Sequence, residues 1–139
     1  MLAKAIITAL FALTAWVALP AQQAVAQAVR ASAATPAPAD RARQWLTLVD
    51  DKNYPQSWSE SGAAFKARQK AEDWAKSAAA LRNPLGAMSS RDLKSIDASR
   101  SNIAVIRFDT VFAHKAASVE TLTLTFQNGG WAVTDYAIE

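Results

Sequence analysis

Few residues in this chain have side chains suited to catalysis or metal binding. His114 is the single histidine, and there is no cysteine. One histidine cannot build a multi-histidine metal site, and without thiols there are no disulfides, zinc–thiolate centres or cysteine nucleophiles. As a general base His114 would need a carboxylate, and Asp109 falls on the opposite face of the strand predicted before it. His114 therefore reads as a turn residue beside Lys115-Ala116-Ala117. Asp50 and Asp51 raise the idea of a calcium loop. Counted from Asp51, Asn53 fits, but Pro55 and Gln56 break the pattern where a ligand and a glycine belong. Both acids read as solvated at a helix end. The sequence has no Gly-rich phosphate loop, G-x-S-x-G elbow or H-E-x-x-H pair, so the motif-borne chemistries are missing. No cofactor and no metal are implied.

Glu120 is the most informative acid. It precedes Leu122 and Leu124 on one face of a predicted strand. A carboxylate aimed at a core needs a cation or hydrogen-bond donors. Arg82 and Arg91 are the candidate partners. The preferred reading is a buried ion pair that fixes the sheet against the third helix and its following loop. A polar group at a pocket mouth and a solvated strand end are the alternatives. Trp58 and Trp74, with Trp45 and Trp131, either line a pocket between helices and sheet or fill an aromatic core. The core is preferred, because Trp45 and Trp74 lie on helix faces that must be buried anyway.

These residues are positioned by a helical half and a strand half. Asp40 is placed as an N-cap, and Ala42, Trp45, Leu46 and Val49 then form one apolar stripe. Asp50-Asp51-Lys52-Asn53 ends that helix, and Pro55 starts a short one carrying Trp58. A third helix is expected from about Gly62 to Arg82, with the stripe Ala67, Ala71, Trp74, Ala75, Ala78 and Leu81. Asn83-Pro84 stops it. From Ile103 the period changes to two: Ala104, Ile106, Phe108, Thr110 and Phe112 share a face opposite Arg107 and Asp109. Val119 to Gln127 alternates again, with Leu122, Leu124 and Phe126 on one side and Thr121, Thr123 and Thr125 on the other. Asn128-Gly129-Gly130 signals a hairpin before a last strand, Trp131 to Ile138. Met88 to Ile96 could be a first, more polar strand. Helices followed by a curved antiparallel sheet with a helix-covered face make an α+β fold.

The N-terminal segment predicts a destination. Lys4 precedes an apolar run from Ala5 to Leu19, Pro20 breaks it, and Ala24-Val25-Ala26 offers a cleavage site. That order is a secretory signal peptide, with cleavage expected after Ala26 or, alternatively, Ala21. Fifteen apolar residues span about 22 Å as a helix, short of a bilayer core. Without a cysteine at the cleavage point the mature chain would carry no lipid, so no membrane anchor remains after cleavage. The expected location is periplasmic or secreted. Residues 27–39 are rich in Ala, Pro and Ser and read as a disordered tether. Residues 40–139 are then a single domain. Loss of Lys4 leaves fourteen basic residues against twelve acidic ones, too balanced for a nucleic-acid surface.

Several short pieces together resemble a known family. They are Trp45 to Asp50, Tyr54 to Trp58, Phe65-Lys66, Trp74, Arg82 to Gly86, Arg91, Glu120 to Leu124, Gly130-Trp131 and Tyr136. In that order they resemble the bacterial exported family catalogued as domain of unknown function 4019. The resemblance implies a fold similar to nuclear-transport-factor-2-like domains, with the cone shape shared by ketosteroid isomerase, and it implies no catalytic residues. Asp135 and Tyr136 match in type the acid and tyrosine of ketosteroid isomerases. As neighbours on a strand they point to opposite faces, which weakens an enzymatic reading.

Three functions follow as expectations. The first is a non-catalytic exported module that binds a small apolar ligand or a protein partner. The second is a small-molecule enzyme of isomerase, dehydratase or hydrolase type using the cone. The third is an accessory domain forming a homodimer through Thr121, Thr123, Thr125, Arg107 and Asp109.

Overall fold

The computed structural model describes residues 35–139. The expected signal peptide and residues 27–34 of the expected tether lie outside the described residues. Among the described residues four helices come first: α1 (Pro38–Asp50), α2 (Tyr54–Ser59), α3 (Ala63–Arg68) and α4 (Ala71–Arg82). A 3-10 turn, Asn83–Leu85, leads to β1 (Met88–Arg100), β2 (Ile103–Phe112), β3 (Lys115–Gln127) and β4 (Gly130–Ile138). The strands form one antiparallel meander in the order β1-β2-β3-β4. One face of β2, β3 and β4 packs on the helices, and the core lies between the two layers.

α1 begins at Pro38, two residues before the expected cap, and Ala37 precedes it without a side-chain cap. Pro38 and Ala39, assigned above to the tether, form its first turn, where a proline costs no hydrogen bond. Burial of Ala39 against the core explains the earlier start. At the other end Lys52 N–H bonds the Val49 carbonyl and Asn53 N–H bonds the Leu48 carbonyl. Lys52 has φ of 59°. This is a Schellman stop in which a lysine holds the left-handed position that glycine usually takes.

The single helix expected from Gly62 to Arg82 is two helices. Gln69 and Lys70 are extended between them. The break exposes Ala67 and frees the Gln69 carbonyl, which accepts the Trp58 indole N–H at 2.9 Å. The end of the stripe also differs. Leu81 points outward, and Arg82, four residues after Ala78, points in. Gly62 lets α3 approach β4. Its N–H bonds the Val133 carbonyl at 2.7 Å, and a Cβ there would sit 2.8 Å from Thr134 Cγ2.

β2 keeps the expected alternation along its whole length, with Ala104, Ile106, Phe108, Thr110 and Phe112 buried. β3 starts at Lys115, four residues earlier than Val119, and buries Ser118, Glu120, Leu122 and Leu124. Phe126 is on the same side but 40% exposed, and its ring packs edge-on against Trp131, with centroids 5.4 Å apart. Asn128 and Gly129 both have positive φ, as a two-residue type I′ hairpin requires. Thr121, Thr123 and Thr125 lie half-buried on the outer face, with Arg107 and Asp109 exposed beside them. β1 runs to Arg100, past the expected Ile96, and is an edge strand with almost every side chain exposed.

Candidate functional site

Two carboxylates and two guanidiniums meet where the helical layer touches β1, β3 and β4. Glu120 is fully buried, Arg82 and Arg91 are 6% and 8% exposed, and Asp50 is 16% exposed. Each comes from a different element. Asp50 ends α1, Arg82 ends α4, Arg91 faces inward from β1 and Glu120 faces inward from β3. The helix ends explain part of this choice. A carboxylate at a helix C-terminus is disfavoured unless cations answer it, while a cation there is favoured.

The hydrogen bonds saturate Glu120. Its Oε1 accepts from Arg82 Nη1 at 2.8 Å and from the Tyr136 hydroxyl at 2.8 Å. Its Oε2 accepts from Arg91 Nε at 2.7 Å and from the Thr110 hydroxyl at 2.7 Å. Arg91 also forks onto Asp50, at 2.7 Å through Nη1 and 3.0 Å through Nη2. Arg82 Nη2 donates to Asp50 as well, and Arg82 Nη1 reaches the Tyr136 hydroxyl at 3.0 Å. The charges cancel, and the planar guanidiniums suit this bidentate pairing in a way lysines would not. Burial opposes the charge of Arg82, but Tyr136, Glu120 and Asp50 outweigh it and raise its pKa above the ordinary arginine value. Arg91 is raised likewise, by Asp50 and Glu120 against the same desolvation.

Of the residues singled out in the sequence, Glu120, Arg82, Arg91 and Tyr136 come together here. Asp50 joins them, contrary to the expectation of a solvated acid. Its partners lie 32 and 41 residues away in sequence, so no local pattern announced it. Trp74 packs on Tyr136, with ring centroids 6.2 Å apart. Trp58 takes no part in the cluster; it is half-buried beneath Lys66, which sits 5.4 Å from its ring. Asp135 points out to Arg68 at 2.9 Å, so it shares no site with Tyr136. His114 is an exposed turn residue whose N–H bonds the Leu85 carbonyl at 2.9 Å.

Tyr136 gives the cluster a pH signature. Desolvation, then the adjacent Glu120 charge, push its phenol pKa well above the ordinary tyrosine value, with Arg82 opposing in part. An unfolded tyrosine ionises near pH 10 while the folded one stays protonated. The folded state then holds the extra proton, so stability is intact below about pH 10 and falls above it, by up to about 1.4 kcal/mol per pH unit. Urea midpoints measured from pH 8 to 11 should show this fall, and Tyr136→Phe should flatten it.

Beside the cluster lies a cleft of about 200 Å³ lined by Val49, Asp50, Lys52, Tyr54, Arg82 and Met88, among others. None of the described tryptophans lines it. The aromatic residues instead form a packed core: the Trp45 ring centroid is 6.0 Å from Phe65, 5.6 Å from Trp74 and 5.4 Å from Tyr136.

Comparison with known proteins adds a family and a fold. A family model described as "Protein of unknown function (DUF4019)" matches residues 41–136. A crystal structure from Campylobacter jejuni, provisionally assigned as an NTF2-like transpeptidase, superposes with a TM-score of 0.50 at 17% identity. The match covers 70% of this chain and 97% of that one. At that identity the likeness is one of fold, and the shared fold is NTF2-like, α+β, with helices ahead of a curved four-stranded antiparallel sheet. No curated protein matches the chain.

Proposed function

We propose that this chain, which belongs to the DUF4019 family of proteins of unknown function, is an exported, non-catalytic binding module. The observation that carries the reading is the saturation of its buried acid, Glu120, and the pairing of Asp50 with arginines. All the acceptor capacity of Glu120 is taken by Arg82, Arg91, Tyr136 and Thr110, and both oxygens of Asp50 are taken by arginines. A general base needs a lone pair free to receive the substrate's proton. Glu120 spends all of its lone pairs, and Asp50 accepts three hydrogen bonds from arginines, in holding four elements together. The cluster is an anchor that keeps the helices on the sheet, and it forms one wall of the cleft. Export rests on the order of Lys4, the apolar run Ala5 to Leu19 and Ala24-Val25-Ala26.

One experiment addresses both parts. The full chain is expressed in a bacterium, its mature form recovered from the periplasm, and its mass measured; a start at Gln27 is expected. Thermal unfolding of that protein is then screened against small metabolites. Binding to the folded state raises Tm in proportion to the logarithm of ligand concentration, so a rise of a few degrees with the ligand recovered unchanged is the expected result. Retention of residues 1–26 would overturn export, and turnover of the bound compound would overturn the non-catalytic reading.

A further inference from the structure

We infer that the cleft beside the buried cluster is a binding site for a small carboxylate with a short apolar tail. This deepens the binding-module reading and rests on it. Three features of the cleft point to an anion. The first is an unsatisfied hydroxyl. Tyr54 lines the cleft and is 7% exposed, and its hydroxyl is buried without a hydrogen-bond partner among the described residues. A buried hydroxyl left unpaired costs about 1–3 kcal/mol, and a ligand oxygen would relieve that cost if the occupied cleft widened enough to reach it.

The second feature is the unused part of Arg82. A guanidinium has five N–H donors. Arg82 gives one to Glu120, one to Tyr136 and one to Asp50. Its Nε–H and one Nη2 hydrogen have no acceptor among the described residues, and Arg82 lines the cleft. The third is Lys52. It stands at the left-handed stop of α1, where a side chain is disfavoured and glycine is the ordinary choice. A lysine held at that cost lines the cleft, and residues in such conformations cluster at ligand sites.

The charge balance has the same sign. Asp50 is also on the wall, but both of its oxygens are committed to Arg82 and Arg91. Arg82 and Arg91 offset Asp50 and Glu120, which leaves Lys52 as the uncompensated charge. Val49, Ala87 and Met88 supply apolar wall beside these donors. A volume of about 200 Å³ is below the range for drug-sized ligands. The fitting occupant has a few carbons and one carboxylate.

Butyrate is the probe, with butyramide as its uncharged counterpart and inorganic phosphate as an anion without a tail. Binding is followed by calorimetry and by thermal unfolding of the mature protein. Butyrate is expected to bind and raise Tm, and butyramide to do neither. Lys52→Gly and Tyr54→Phe should each weaken butyrate binding about tenfold, the worth of one charge-assisted hydrogen bond. Both should leave the unliganded Tm unchanged or higher, since the first restores the usual stop residue and the second removes an unpaired hydroxyl. Unaltered butyrate affinity in both variants, or an equal response to butyramide, would overturn the site. An equal response to phosphate would overturn the carboxylate assignment. These failures leave the module reading standing if another screened compound binds. That reading falls separately, if a bound compound is consumed.

Discussion

Glu120→Gln should lower folding stability by about 3–5 kcal/mol, measured as a fall in the urea midpoint with unchanged slope. The substitution keeps the shape of the side chain and removes its charge. Arg82 and Arg91, both nearly buried, would then share Asp50 as their one remaining carboxylate in the cluster, and Arg91 Nε and the Thr110 hydroxyl would lose the oxygen they now bond. Removing one member of a buried ion group costs more than the group is worth, because the others stay buried with too little compensating charge. For a domain of this size the loss corresponds to a Tm fall of more than about 10 °C. Replacing all four charges together, as Asp50→Leu, Arg82→Met, Arg91→Met and Glu120→Met, should recover most of that stability, since an apolar filling of similar volume is often neutral or better. The same fourfold variant should lose butyrate binding, because Arg82 is on the cleft wall. A single Glu120→Gln change with no effect on stability would contradict the anchoring role.

The parts of this molecule that were legible from its sequence are those in which a single element settles its own fate. β2 and most of β3 bury one face and expose the other, so alternation alone identifies them. The Asn128-Gly129 turn is legible because its backbone angles demand those residue types. β1 is poorly legible for the opposite reason. It is an edge strand, Leu93 and Ile96 are 40% and 49% exposed, and burial imposes no period on it. The break between α3 and α4 has no glycine or proline to announce it; tertiary bonds to the Gln69 carbonyl and from Arg68 to β4 support it. Glu120 was legible because a lone acid within an apolar face requires partners. Asp50 was not, because at a helix end it looks like any solvated acid. The two arginines that bury it arrive from elements 32 and 41 residues later. Leu81 leaves the expected stripe for the same reason, since the carboxylates across the interface draw its neighbour Arg82 inward, as the pairing with Glu120 requires.

Trp45→Ala should cost about 3–5 kcal/mol, a second loss of comparable size. Trp45 is fully buried and touches Phe65, Trp74 and Tyr136. Its indole N–H donates to the Ser57 carbonyl at 2.8 Å and to the Ser61 hydroxyl at 3.0 Å. The hydrogen bonds are the smaller part of the cost. With the indole gone, the Ser57 carbonyl still accepts from the Ser61 hydroxyl at 2.7 Å, so no backbone acceptor is orphaned. Trp45→Phe, which keeps a ring and loses the N–H, should therefore cost clearly less than Trp45→Ala. The larger penalty comes from lost contacts and from the cavity, which neighbouring rings fixed by their own bonds cannot collapse to fill. Trp74 is one such ring, held by its N–H to the Ser57 hydroxyl at 2.9 Å. A cavity of that kind is apolar and dry, and it binds a molecule of the shape removed. Indole should then raise the Tm of Trp45→Ala and leave the parent protein unmoved, while butyrate should still stabilise both. Indole binding to the parent at the same strength would mean that the aromatic layer already holds a pocket, and would return the tryptophans to the list of ligand-binding residues.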